Sequence, residues 1–470
     1  MNYNSQELAN KDFEIPEHFS KAIHEYRVGN LEKVREILEL ILLKNPHYIE
    51  ALKLKAMLAH RTNNLQEAIV EYKKVISITS NDAICYTGLG NIYQQQANFD
   101  EAISYYQKAL LLANNCNIYF GLATCFTAQK NLDEAINYLT KGLKIEPDNP
   151  KLRCERGINL LKKGDYENGL PDFEYRLKLP DIINYHFLKD TMWDGSDLNG
   201  KEIVLHIGSR LSRAIQLIRY APLVAQRGGN VIFACAKPLL RLFSNVSGIT
   251  QLVDREITSA NFEVNASLLS LPYLFGTTVS TIPVNVPYIF PCKPEEWTAW
   301  NIQSLLQAAS DTRLKIGIVW KTGEYERSGS LCEKDCPLSY FINLLSIPYI
   351  SLYSLQVGKL SSEIHEFKHE SRLYDLTPQI KDFADTAALI SQLDLVISVD
   401  TAVAHLAGAM GSPIWTLLAF DADWRWLQER EDSPWYPTMR LFRQRQYGDW
   451  ESVFQQVIPA LKQHLASYRG

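Results

Sequence analysis

No stretch of this 470-residue sequence stays apolar for the roughly 18 residues that a membrane-spanning helix needs. The first residues, Met1 to Asp12, are polar and mixed in charge, without the basic start and apolar run of a secretory signal. These two absences make the cytoplasm the expected compartment. Basic blocks are lacking as well. The net charge is −5, and with no clustered cations to neutralise phosphates, nucleic acid is not the expected partner. The cysteines, Cys85 to Cys336, stand mostly alone in apolar segments, without the spacing of a disulfide framework, and read as reduced core thiols. Cys332 and Cys336 flank Glu333 and Asp335, but no second Cys/His pair lies near to complete a zinc site, so no metal is expected. Against these absences, 46% of the residues are apolar and 21% charged, enough to bury the cores of about two to four domains.

A repeat dominates the first third. Small residues recur at Ala22, Ala56, Gly90, Ala123 and Gly157, with spacings of 34, 34, 33 and 34. A second small series runs Val34, Ala68, Ala102, Ala135, Gly169, and a bulky series follows at Leu38, Tyr72, Tyr106, Leu139, Phe173. Small residues let two antiparallel helices approach, and large ones fill the gap to the next unit. Turn signals fall between them at Gly29-Asn30-Leu31, Asn63-Asn64-Leu65, Ala97-Asn98-Phe99, Lys130-Asn131-Leu132 and Gly164-Asp165-Tyr166. With Glu67-Ala68, Glu101-Ala102 and Glu134-Ala135, these resemble the tetratricopeptide family, whose period is about 34. About five units fit into residues 15–180 after an N-terminal tail at 1–14. Such an α-solenoid has a concave groove, and the resemblance implies a protein or peptide partner held in it; a structural stalk or homo-oligomer surface is the alternative.

From about Trp193 the pattern changes to short β-rich runs alternating with helical stretches: 202–206, 231–235, 315–320, 350–355, 395–399 and 414–418. Alternation of this kind predicts parallel sheets covered by helices on both faces. Two Rossmann-like halves are expected, at 190–300 and 311–465, joined near 290–312. Ligands of such folds bind at the carboxyl ends of the strands. The richest segment is Leu395 to Leu418, which reads strand, sharp turn at Asp400-Thr401, helix, Gly-Ser-Pro break, strand. The helix begins where the strand ends, so its free N–H groups and positive end face an anion. Thr401 and His405 lie four apart on one helix face. Asp400 would repel a phosphate, so it is expected to cap the helix or bond sugar hydroxyls. The bland alternatives are a core histidine at 405, a simple cap at Asp400-Thr401, a solvated Lys321, and a domain-closing core for Trp424, Trp426 and Trp435.

The run Ser398 to Ala409 resembles the donor-site motif of the glycosyltransferase family that contains the heptosyltransferases, in its bacterial version fused to tetratricopeptide repeats. Trp193-Asp194-Gly195, Ile215 to Pro222, Ile316 to Trp320, Tyr353 to Gln356, Asp423 to Trp426 and Arg430 to Pro437 are similar to that family in the same order. The layout is also similar to that of repeat-fused O-linked N-acetylglucosamine transferases. The resemblance implies an α/β GT-B module that transfers a sugar from a nucleotide-sugar, with no metal and no cofactor beyond that substrate. It implies Lys321 on the donor phosphates, Gln356 on the nucleotide, and Asp400, Thr401, Ala402 and His405 as the phosphate and sugar cradle. The acceptor-side loop departs from the family pattern. In the stretch from Gly208 to Arg213, this chain has Arg210 and Ser212 where the family carries two glycines, and Arg213 where it carries an acidic base. A guanidinium cannot take a proton from an acceptor hydroxyl. His206 and Glu324 are the substitute bases on offer, and a catalytically inactive scaffold that binds protein partners is the competing reading.

Overall fold

A computed structural model describes residues 14–180, 191–208, 210–255, 263–291, 313–323 and 334–469. The chain divides into two compact units, Met1–Arg156 and Gly157–Gly470. Among the described residues no helix is long and apolar enough to cross a membrane.

The repeats fold as helix pairs: Ile15–Val28 with Leu31–Lys44, Ile49–Arg61 with Leu65–Ile78, Ala83–Gln95 with Phe99–Leu112, Cys116–Ala128 with Leu132–Ile145, and Pro150–Lys163 with Tyr166–Phe173. The three small and large series explain the packing. Tyr106 is fully buried between two glycines. A Cβ built on Gly90 would lie 2.7 Å from its ring, and one on Gly121 would collide with it as well. Tyr72 meets Gly88 in the same way. The first residue of every turn signal is left-handed: Gly29 at φ 91°, Asn63 at 59°, Ala97 at 57°, Lys130 at 62° and Gly164 at 88°. This conformation lets the following residue's N–H reach back to the helix, as Asn98 N does to Tyr93 O at 2.9 Å. Glycine supplies it without strain at two of the five turns, while Ala97 and Lys130 carry a Cβ through it.

The second unit holds two parallel sheets. The first orders β1 (Glu202–His206), β2 (Asn230–Cys235), β3 (Gln251–Asp254) and β4 (Val264–Ser267) as β3-β2-β1-β4. The second is built of β5 (Leu314–Val319), β6 (Ile350–Ser354), β7 (Leu373–Asp375), β8 (Leu395–Val399), β9 (Ile414–Leu418) and β10 (Met439–Arg443). Its order is β10-β9-β8-β5-β6-β7. Counted from its own first strand, this sheet reads 6-5-4-1-2-3, the doubly wound order, and the first sheet repeats the 3-2-1-4 part of it. The fold is therefore a helical repeat solenoid followed by an α/β module of two parallel sheets. β6, β8 and β9 are buried at every residue, which is why they read as continuous apolar runs in sequence. The helix Trp450–Arg469 sends Val453, Phe454, Val457 and Leu461 into the core of the second sheet. The fifth helix pair packs with this module: Lys162 bonds Asp421, and the Tyr166 and Phe173 rings meet Trp424 edge-on.

Urea unfolding followed by helical circular dichroism checks the turn and packing arguments. Ala97→Gly should raise stability by about 0.5–1 kcal/mol, because it relieves a left-handed Cβ at some cost in chain entropy. Tyr106→Ala should lower it by about 3–5 kcal/mol. Destabilisation by Ala97→Gly would refute the turn assignment.

Candidate functional site

Each sheet reverses its direction of growth between its first and fourth strands, and the carboxyl ends of those strands open a crevice. In the second sheet the two strands are β5 and β8, paired in parallel. Trp320-Lys321-Thr322 leaves one and Asp400-Thr401 leaves the other. In the first sheet they are β1, ending at His206, and β4, ending at Ser267.

Asp400 is only 4% exposed, yet it remains a carboxylate. Burial alone would raise its pKa. The Lys334 ammonium, the His405 ring and the Arg425 guanidinium overcome that and hold the carboxyl well below its usual range. Lys334 Nζ donates to Asp400 Oδ2 at 2.6 Å. It arrives there because the next residues are stitched to the end of β5: Thr322 N and Oγ1 both donate to Asp335 Oδ1 at 2.8 Å, and Cys336 N donates to Trp320 O at 2.8 Å. Burial pushes Cys336 up, which keeps its thiol protonated.

Thr401, not Asp400, caps the helix Ala402–Ala409: its Oγ1 accepts from Ala404 N at 3.4 Å. The expectation that Asp400 caps is thereby corrected; its carboxylate is turned to Lys334 instead. His405 has no exposed surface. Its ring stacks on Trp426, with centroids 5.0 Å apart, and its Nδ1 lies 2.9 Å from the Tyr436 hydroxyl. Nε2 sits 3.6 Å from Asp400 Oδ1, an electrostatic contact longer than a hydrogen bond. Burial, against the opposing pull of Asp400, lowers the His405 pKa and keeps the ring neutral. Gly408 is required one turn on, since a Cβ there would come within 2.6 Å of the Tyr436 ring.

After β9, Asp423 caps the 3-10 turn Trp424–Trp426, its Oδ1 accepting from Arg425 N at 3.1 Å. Asp423 Oδ2 lies 3.4 Å from Arg425 Nη2. Burial would raise the Asp423 pKa, but Arg425, Arg213 and Lys334 lower it overall. Arg425 is buried, and its Nε and Nη1 have no partner among the described residues; neither has Arg213 Nε. Burial and then the Arg425 charge bring Arg213 down to about 9, so it is still a cation at neutral pH. Among the described residues, three cations, Arg213, Lys334 and Arg425, thus face two carboxylates, Asp400 and Asp423. Arg219 pins the surrounding elements. It donates to Pro283 O at 2.9 Å, Trp435 O at 2.8 Å and the Tyr288 hydroxyl at 2.8 Å.

The other expected residues take separate places. Ala402 opens the helix behind Thr401. Lys321 follows β5, but its ammonium is paired with Glu363, which also accepts from Trp320 Nε1 at 2.9 Å. Gln356 Oε1 accepts from Trp320 N at 3.2 Å and Lys321 N at 3.0 Å, so its carboxamide clamps that loop to β6. His206 is bonded through Nε2 to Asn265 Oδ1 at 3.2 Å. Gly208 is exposed and Arg210 half-buried. Glu324, Cys332 and the 292–312 part of the expected linker lie outside the described residues. Sequence reasoning assigned no role to Lys334, because attention to the neighbouring cysteines hid it. It placed Asp423 and Arg425 in a segment similar to the family but gave neither a role. An Asp-x-Arg pair within a tryptophan-rich segment is the signal that could have found them.

Residues 82–147 and 59–97 match models of the tetratricopeptide repeat. Residues 360–431, which carry Asp400, His405, Asp423 and Arg425, match the model of glycosyltransferase family 9 (heptosyltransferase). Protein FlbA of Caulobacter vibrioides is 23% identical over 456 residues, spanning 90% of this chain and 74% of that protein. The crystal structure of MamA protein is similar at 18% identity and a TM-score of 0.32, over 37% of this chain and 94% of its own. Pseudomonas aeruginosa pilF is similar at 18% identity and 0.33, over 35% and 75%. A tetratricopeptide protein of Thermus thermophilus is similar at 17% and 0.32, over 36% and 92%. The chain joins tetratricopeptide repeats to a heptosyltransferase-like module.

Burial, with a smaller contribution from the Arg176 charge, pushes His206 down to about 4 from 6.5. Its depressed folded pKa makes stability complete above about pH 6.5 and erodes it as pH falls towards 4. The loss amounts to about 3 kcal/mol for 2.5 pKa units. His206→Gln should flatten that part of a stability-versus-pH curve; an unchanged curve would place the acid sensitivity elsewhere.

Proposed function

We propose that the heptosyltransferase-like module binds a nucleotide-sugar in the crevice between its two parallel sheets, as a GT-B transferase does. The acceptor is a protein or polysaccharide presented by the repeats. One observation carries this reading: among the described residues, Lys334, Arg425 and, from the helix after β1, Arg213 outnumber the carboxylates Asp400 and Asp423, and guanidinium N–H groups of Arg213 and Arg425 have no partner there. Buried charges are stable only when paired. A diphosphate would supply the missing acceptors, adjoining the positive end of the helix Ala402–Ala409. In transfer, the same cations would stabilise the negative charge that develops on the departing nucleotide, without a metal. Lys321 is two residues beyond β5 and would reach a phosphate by exchanging its bond to Glu363 for it. His405 acts through Asp400, which it holds in place.

The arrangement of acids favours a second reading, a nucleotide-binding scaffold without transfer. Asp400 and Asp423 are both held ionised by neighbouring cations, Arg213 stands where the family's acid is expected, and the buried His206 is a weak base. Missing a positioned base costs about 10²–10⁴ in rate.

Calorimetry against UDP, GDP, ADP and CMP, then their sugar conjugates, tests the proposal. One of them should saturate. Arg213→Ala and Lys321→Ala should each weaken it about tenfold or more, the worth of a charged hydrogen bond. Absence of binding by any of the four would overturn the proposal. Binding without donor consumption, in the presence of lysate acceptors, would select the scaffold reading.

A further inference from the structure

The loop that follows β9 carries Asp423 and Arg425 through an uncommon backbone path. Leu427 sits at φ 52° and ψ −167°, and Glu429 at φ 56°. Residues with a Cβ are strained in such conformations and keep them only where the surroundings leave no alternative. Part of that constraint comes from β10: Arg443 donates to Arg430 O at 3.0 Å and to Trp426 O at 2.5 Å. The fifth helix pair adds to it. Lys162, itself buried, bonds the Asp421 carboxylate. Tyr166 and Phe173 hold Trp424 edge-on, with centroids 5.6 and 6.1 Å away. At the left-handed Gly164 the turn lies so close that an added Cβ would be 3.9 Å from Leu427 Cδ2 and 3.6 Å from Val279 Cγ2.

We propose that the fifth helix pair is a positioning element of the anion site, fixing the 420–431 loop so that Asp423 and Arg425 stand against Lys334 and Asp400. The inference rests on the nucleotide-binding reading for its functional meaning, but its structural content is separable. Lys162, Tyr166 and Phe173 touch no ligand in this scheme; they act through Asp421 and Trp424. A segment that follows the repeat period is thereby assigned to the chemistry rather than to partner docking.

Hydrogen–deuterium exchange on the full chain tests it, with Lys162→Met and Phe173→Leu as independent variants. Both should speed exchange of the Trp426 and Leu427 amides, which bond Asp423 O and Trp424 O, about tenfold or more, while β8 amides keep their protection. Lys162→Arg should restore the slow exchange. Affinity for whichever of UDP, GDP, ADP or CMP the wild type binds should fall in step. Unchanged loop protection in both variants overturns the proposal, as does equal loosening of β8, which would mark general packing. A loosened loop in a wild-type background that binds no nucleotide upholds the positioning role and sinks the nucleotide reading instead.

Discussion

Asp400 is a carboxylate with almost no water, and much of the surrounding architecture serves to keep it charged. Moving such a group out of solvent costs several kcal/mol, and only close, well-oriented cations repay that. Lys334 is one, and the Thr322–Asp335 bonds put it there. His405 backs the other carboxylate oxygen, wedged between Trp426 and Tyr436. The Tyr436 ring in turn needs the bare backbone of Gly408, and Thr401 takes over the helix cap so that Asp400 is free of it. A single electrostatic requirement thus explains residue choices spread over a hundred positions.

Among the described residues, the cations around that carboxylate exceed the acids. Arg425 brings one neighbouring acid, Asp423, and keeps nitrogens without a partner among the described residues. Arg213 adds a further cation where an acid would have left the carboxylates in excess. Replacing an acid by an arginine reverses what this side of the crevice offers: a proton acceptor becomes an anion contact. In the proposed nucleotide site an arginine here would favour a phosphate-bearing ligand while offering no base, so affinity and turnover would pull apart.

Much of the fold was legible because its determinants are local and periodic. The left-handed residues fall on the first position of each turn signal, and the strands read at 202–206, 395–399 and 414–418 coincide with β1, β8 and β9. Polar edge strands were not legible: Gln251–Asp254, Val264–Ser267 and Leu373–Asp375 lack an apolar run because each is short and only partly covered. At the site, the turn and helix after β8 could be read, since one strand-to-helix junction encodes them. Lys334, Asp423 and Arg425 could not, because their meaning comes from being brought together across long sequence separations. Gln356 shows the converse: a residue type suited to a ligand is occupied with the backbone of the loop after β5.

The fifth helix pair makes the same point at the level of domains. Its small and bulky positions, Gly157, Gly169 and Phe173, keep the repeat pattern, because that pattern governs how two helices of a pair approach. A Cβ on Gly157 would meet Phe173 N at 2.5 Å. The pattern says nothing about what lies beyond the pair. A helical array must end in a unit whose outer face is polar or covered, and this one is covered: Lys162, Tyr166 and Phe173 are buried against the loop after β9. The compact units accordingly divide at Arg156–Gly157, inside a helix, rather than where the repeat period stops. Covering the last pair and holding a strained loop are one set of contacts, so loosening either would disturb the other, and the repeats cannot be trimmed at their apparent end without disturbing the site.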